Sequence, residues 1–347
     1  MIVFYALLFV VILSRLRYSW KGYYYDYLSF DTTNSIKGVF IFLVFLKHIV
    51  PYIIHSGYVF NDCPLNRIFL FLNAHVGQWI VAMFLFYSGY GIMESIQKKG
   101  IRYIASIPRK RILTTLINFD IAVTLFGAIA LSFRKTYLLK EYVLAYLGWE
   151  SVGNSNWYIF VIILCYCIAW ISFRNSKLNY KHYIIGASVC FLLLVALVIL
   201  LSYLRPSWWY NTILCFGAGM LYSVFHEAIE PVVRQRYWLL VSVVLLLFIV
   251  LGQSPYYCKG LMYNAYCIAF CFLIVFLSMK ISINNPILIW AGKNLFPLYI
   301  YQRVPMIVLS YINGGAFVSS FPILYTAVCL LVTLLLAYFY KYWAVKL

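Results

Sequence analysis

The chain has 347 residues, of which 65% are hydrophobic and only 10% charged, with a mean hydropathy of +0.89. A soluble globular domain carries about 25% charged residues, so that class is excluded. The net charge of +18 would suit a nucleic-acid binder, but Lys and Arg also accumulate in the cytoplasmic loops of membrane proteins and set their topology.

The distribution along the chain decides between these two. Apolar runs recur near 2–14, 36–54, 74–93, 112–132, 157–173, 183–204, 209–226, 238–252, 261–281, 295–312 and 322–342, and runs of roughly 17–25 apolar residues are the signature of spanning helices. The first is short. It has no preceding basic segment and no small-residue cleavage site, so it reads as a retained helix rather than a signal peptide. Turn residues separate several runs, among them Asn61 to Pro64, Gly148 to Asn156, Pro206 to Trp209 and Asn313 to Gly315. The 33 tyrosines and 10 tryptophans gather at run ends, as interface belts do.

The basic residues alternate. Arg15, Arg17, Lys21 and Lys37 precede the second run, and Arg67 stands alone after it. Lys98, Lys99, Arg102, Arg109, Lys110 and Arg111 follow the third, and the count keeps swinging from loop to loop, with Arg174, Lys177 and Lys181 after the fifth. One side collects 19 and the other six; Lys47 and Arg303, inside runs, complete the 27. This pattern predicts an all-α polytopic membrane protein of about eleven transmembrane helices, N-terminus outside and C-terminus cytoplasmic. It also removes the nucleic-acid reading. The nine cysteines fall almost entirely inside apolar runs, none in a ligand spacing supported by loop histidines, so they read as small buried hydrophobes and no metal is expected.

Ionisable groups at membrane depth are functional hypotheses by default, because each is costly unless it faces a polar space. In SIKGVFIFLVFLKHIVP (35–51), Lys37 and His48 are separated by about 1100° of helical rotation, three turns plus about 20°, so both lie on one face roughly 16 Å apart. Lys37 would stand at the inner mouth and His48 near mid-membrane, an arrangement suited to a ligand that threads inward with its anionic end at the mouth. Taken alone, Lys37 reads as a topological anchor, and His48 reads equally as a core histidine bonded to a carbonyl. Lys47 lies about 100° away and gains no role. Arg303 needs a partner, which could be Asp120, Glu94 or a ligand, and Asp120 could serve a structural ion pair. Ser88-Gly89 could unwind its helix to admit a ligand or allow close helix packing. Asn154, Asn156, Trp157 and Tyr158 offer hydrogen bonds and an aromatic platform for a sugar, although Trp and Tyr there are also ordinary interface anchors.

Several stretches together resemble a known family. IKGVFIFLVFLKH (36–48) is similar to the Arg/Lys–ten residues–His motif of the membrane acyltransferase-3 family. FLFYSGYGI (84–92), PRKRIL (108–113), SNWYIFVIILCY (155–166) and NLFPLYIYQRVPM (294–306) resemble, in matching order, its Ser-Gly segment, Arg-rich loop, Trp-led span and late Leu-Tyr segment. The resemblance covers roughly residues 30–342 and implies an N-terminal helix with its linker (1–30) ahead of a ten-helix acyltransferase-like domain (31–347).

It further implies transfer of an acyl group, usually acetyl, from cytoplasmic acetyl-CoA to a sugar hydroxyl, with an envelope or exported polysaccharide or a lipid-linked precursor as acceptor, in a bacterial plasma membrane. His48 would be the catalytic residue, since a histidine of ordinary pKa near 6.5 suits removal of a hydroxyl proton; direct deprotonation and a transient acyl-histidine both stay open. Lys37, Arg109, Lys110 and Arg111 would face the CoA phosphates, with plain topology as the alternative for 109–111. Asn156, Trp157, Asp120, Arg303 and Ser88 would serve the acceptor, and membrane lipid would surround the whole. Three departures stand out: Lys37 replaces the more usual Arg, Thr114 follows Arg111 where a second Arg is common, and Gln302-Arg303 occupies a place that often holds histidine. A transporter or flippase for a lipid-linked sugar is the alternative from another class. It explains the spans but not a basic mouth aligned with a deep histidine, and the sequence shows no repeated halves with paired broken helices.

Overall fold

Lipid offers no hydrogen-bond partner to a backbone amide, so apolar runs of this composition must fold as helices that satisfy their own N–H and C=O groups. A computed structural model of the chain describes residues 1–75, 77–174, 179–253 and 259–347. Lys177, counted above among the loop charges, lies outside the described residues.

In chain order the elements are α1 (Ile2–Leu13), β1 (Leu16–Tyr18), α2 (Phe30–His55), α3 (Pro64–His75), α4 (Trp79–Lys99), α5 (Ile101–Ile107), α6 (Thr114–Ser132), α7 (Leu139–Tyr146), α8 (Trp157–Phe173), α9 (Tyr180–Leu204), α10 (Leu214–Gln235), α11 (Tyr237–Gln253) and α12 (Gly260–Ser278). Then come β2 (Ile281–Ile283), α13 (Pro286–Lys293), α14 (Leu295–Tyr301), α15 (Arg303–Ser310), α16 (Ala316–Ser320) and α17 (Pro322–Phe339). A π-helical turn, Pro108–Leu113, joins α5 to α6, and a short 3-10 turn, Ser207–Trp209, precedes α10.

Among the described residues, seven helical stretches are long and apolar enough to cross a membrane: Phe30–His55, Trp79–Lys99, Ile101–Ser132, Tyr180–Leu204, Ser207–Gln235, Gly260–Ser278 and Pro322–Tyr342. Leu295–Ser310 and Ile312–Ser320 would form an eighth, bent by 90°, where Asn313, Gly314 and Gly315 take positive φ. The shorter apolar helices α1, α8 and α11 complete the set. The chain is an all-α polytopic membrane protein, and the apolar runs read from the sequence fall on these elements.

Local chemistry sets the helix starts. Ser29 caps α2 by accepting from the Thr32 amide at 3.3 Å, with Asp31 in the first turn. Asn285 accepts from Ile287 at 2.9 Å ahead of Pro286, whose missing N–H costs nothing at a first helical position. Two features were not expected from the run pattern. The segment read as a turn near Asn61 to Pro64 leads into α3, so α4 begins at Trp79 rather than near 74. Leu16 and Tyr18 also pair antiparallel with Ile283 and Ile281, tying the chain after α1 to the loop after α12.

Two helix pairs approach to backbone contact. A Cβ added at Gly89 of α4 would sit 1.9 Å from the Phe216 carbonyl oxygen of α10, and one at Gly219 would sit 2.0 Å from that of Phe86. The same reciprocity joins α2 to α13: Gly38 against the Leu288 carbonyl at 2.0 Å, and Gly292 against that of Asn34 at 1.9 Å. Only glycine permits such contact, the small-residue logic of helix association in lipid. Helix α10 runs parallel to α4, whereas α13 runs antiparallel to α2, its Ile287 lining an apolar pocket with Phe42 and its Lys293 reaching Asp31 at 2.9 Å. The α4–α10 pair is fastened at its two ends by Gln78 donating to the Trp208 carbonyl at 2.6 Å and Ser223 donating to Glu94 at 3.0 Å.

Gly89→Ala and Gly219→Ala are each expected to lower the melting temperature of the detergent-purified protein, since overpacking costs about 1–3 kcal/mol. Gly91→Ala, whose methyl would meet nothing within 4 Å, should leave it unchanged or raise it. A thermal-shift series reads all three; equal behaviour of Gly89→Ala and Gly91→Ala would refute the backbone contact.

Candidate active site

Helix α2 is unbroken from Phe30 to His55 even through Pro51, so the helical arithmetic holds and Lys37 and His48 share a face towards opposite ends of one rod. They nevertheless open into different spaces. Lys37 lines a cavity of about 550 Å³ with Ser88, Lys98, Lys99, Arg111 and Tyr166. A second cavity, of about 340 Å³, shares Ser88, Arg111 and Tyr166 with it and adds Lys110, Tyr158 and Tyr299. His48 lines a third, of about 780 Å³, with Lys47, Arg303, Gln78, Trp157 and Trp208. The third shares no lining residue with the other two.

Tyr299 marks the boundary. Its ring is buried, stands 6.3 Å from the His48 ring on one side and 5.2 Å from the Tyr158 ring on the other, and lines the second cavity. Tyr299 thus touches His48 while lining the second cavity, which shares Ser88, Arg111 and Tyr166 with the Lys37 cavity.

The electrostatics of the two sides differ. In the Lys37 cavity the carboxylate is Glu94, and it is held by Lys98 at 2.7 Å and by Ser223. Lys37, Lys99 and Arg111 have no carboxylate partner among the described residues. The expected basic triplet divides. Pro108 opens the π-helical turn, a distortion that often occurs at functional sites. Arg111 lines both cavities on this side. Lys110 lines the second and an adjacent groove with Lys98, Lys99 and Arg102. Arg109 lines none of these spaces, and its carbonyl accepts from the Thr114 hydroxyl at 3.0 Å.

On the His48 side, His48 Nδ1 is enclosed and has no protein partner among the described residues. Lys47 Nζ donates to the Asn73 carbonyl at the end of α3 at 2.6 Å, a fixed position for the residue that the sequence left without a role. Arg303 donates to the Gly153 carbonyl at 3.5 Å, and its Nε finds no partner. Of the partners expected for Arg303, Glu94 is paired with Lys98, and Asp120 makes no ion pair among the described residues and lines none of these cavities. Of the partners named for Arg303, neither carboxylate is met and a ligand remains: Arg303 lines the cavity without a carboxylate.

Helix α4 continues straight through Ser88-Gly89, and Gly89 packs against Phe216. Close packing, not unwinding, explains that glycine, while Ser88 opens onto the two cavities on the Lys37 side. Trp157 lines the His48 cavity, but the Asn156 amide is committed to holding its own loop, donating to the Gly148 and Glu150 carbonyls at 3.0 Å each. Asn154 likewise accepts from the Val152 amide at 3.1 Å. The sequence did not single out Tyr299, Tyr166, Gln78 or Trp208. With 33 tyrosines no spacing distinguishes the two that matter, and Gln78 gains meaning only from its tertiary bonds to Trp208 and Asn211. Among the described residues no three His, Cys, Asp or Glu side chains gather as metal ligands would.

A helical membrane protein with a basic cavity on one side of an aromatic partition and a histidine-bearing cavity on the other is the class that the fold and site define. The family model described as an acyltransferase domain, that of the acyltransferase-3 family, matches residues 31–342, and the chain belongs to that family. No curated protein and no solved structure matches the chain.

Two separate cavities predict one-sided accessibility. In a variant background without native cysteines, Ser88→Cys in sealed vesicles should react with an impermeant thiol reagent from one face only. Val81→Cys, in the His48 cavity, should react only from the opposite face. Labelling of both positions from the same face would show that the spaces connect.

Proposed function

We propose that the protein is a bacterial plasma-membrane O-acyltransferase that moves an acetyl group from cytoplasmic acetyl-CoA to a hydroxyl of a sugar in an envelope or exported polysaccharide. The observation that carries this reading is the Lys37–Tyr299–His48 arrangement within an acyltransferase-3 chain. Unpaired cations stand at one end, a histidine with a free ring nitrogen stands at the other, and one ring lies between them. The roughly 16 Å that separates Lys37 from His48 along α2 suits a cofactor whose phosphates and reacting thioester lie at opposite ends of a long arm.

On this reading Lys37, Arg111 and Lys110 face the CoA phosphates, Arg111 with a fork that can bind two oxygens at once. Arg109 contributes only to the general field. The thioester end displaces the Tyr299 ring and reaches the acceptor hydroxyl, which lies in the His48 cavity against Trp157. His48 takes the hydroxyl proton as the oxygen attacks the thioester carbonyl. The tetrahedral intermediate then collapses with breakage of the C–S bond, and the CoA thiolate leaves and takes up the proton. The acetyl ester and free CoA are the products, and no further reactant is required.

Vesicles supplied with labelled acetyl-CoA and glycan acceptors test this directly. His48→Ala should lower transfer by about 10²–10⁴, the usual contribution of a positioned acid–base group; label transfer that survives it would sink the catalytic assignment. Lys37→Ala should raise the KM for acetyl-CoA more than Lys37→Arg does, and equal behaviour would leave Lys37 as a topological anchor only. Sugar movement across the membrane without any label transfer would favour a transporter.

A further inference from the structure

The His48 cavity carries more positive charge than acetyl transfer to a neutral sugar requires. Lys47 and Arg303 line it together with His48, the base of the proposed reaction, and no carboxylate does among the described residues. Asp62 and Glu150 are engaged with other cations, Arg67 at 2.6 Å and Arg205 at 3.2 Å.

Topology does not account for these charges. Basic residues that set orientation lie in loops, whereas Lys47 sits inside α2 and Arg303 begins α15. A cation at such depth is costly unless it has a partner or a polar space. A lysine has three donors and an arginine five. Lys47 uses one on the Asn73 carbonyl, and Arg303 makes one long contact to Gly153 while its Nε stays unmatched. Both side chains line the cavity, where Trp157 and Trp208 supply flat apolar walls of the kind that pack against sugar rings.

We propose that this cavity selects an acceptor sugar bearing an oxyanion, a carboxylate or a phosphate, and that Lys47 and Arg303 hold that group while the reacting hydroxyl lies at His48. The inference rests on the transferase reading for the hydroxyl and not for the anion. Helix α2 carries Lys47 beside His48, and α15 follows directly from α14, which carries Tyr299 against His48. The two cations and the histidine are therefore set by the same pair of helices, and an anion bound between Lys47 and Arg303 would fix the sugar relative to the base.

Binding to the purified full-length protein provides the test, with glucuronate, glucose 1-phosphate and glucose as probes. At least one anion should bind about tenfold or more tighter than glucose, and which one does identifies carboxylate or phosphate. Arg303→Gln and Lys47→Met should each erase most of that preference without affecting glucose, and Arg303→Lys, which keeps the charge, should retain part of it. Equal binding of the three sugars, or a preference that survives both neutral substitutions in protein of normal melting temperature, overturns the proposal. In the transfer assay, Arg303→Gln should act through the KM for an acidic glycan and leave the KM for its carboxyl-reduced form unchanged. A fall in kcat alone for both glycans would assign the cations to the reaction's own oxyanion and overturn the acceptor role. Selective anion binding without any transfer would support the anion site while overturning the transferase reading.

Discussion

Backbone contact through four glycines is the constraint on which the rest depends. In lipid the hydrophobic effect does not drive helices together, so association relies on close packing. Gly38 and Gly292 bring α2 and α13 to backbone distance, and Gly89 and Gly219 do the same for α4 and α10. In each pair a glycine of one helix receives the carbonyl of the residue three or four positions before the glycine of the other. Translation and rotation are therefore fixed together, because sliding either helix by one residue would drive a side chain into a carbonyl.

The functional side chains hang from these two fixtures. The first joins the helix that carries Lys37, Lys47 and His48 to the segment that continues into Tyr299 and Arg303. The second sets Ser88 within the cavities on the Lys37 side and, through the Gln78–Trp208 bond, shapes the wall of the His48 cavity. The Asn118 side chain adds a third restraint, both donating to and accepting from the backbone of Val345 at 2.9 Å, which ties the C-terminal tail to α6 beside the second cavity.

What could be read from the residues alone follows from how local each signal is. Spans are legible because the bilayer sets a length and a composition. Lys37 and His48 are legible because an unbroken helix converts their spacing into geometry. Gly89 was ambiguous because unwinding and close packing both favour glycine, and only the Phe216 carbonyl, far along the chain, decides between them. Asp120, Glu94 and a ligand were all open as partners for Arg303, because sign without distance cannot choose among them. Lys47 gained its position from Asn73 and its company from Arg303, neither of which has a periodic relation to it. The division of the site into separate spaces depends on one tyrosine among many.

The Tyr299 partition has a bearing on the membrane as a barrier. A continuous wet passage between spaces at opposite ends of α2 would conduct protons and small ions, and each elementary charge moved down a potential of 100 mV dissipates about 2.3 kcal/mol. A packed aromatic ring between the two spaces interrupts such a water column. Each space can then open to its own side of the membrane without draining the gradient that the same membrane must hold.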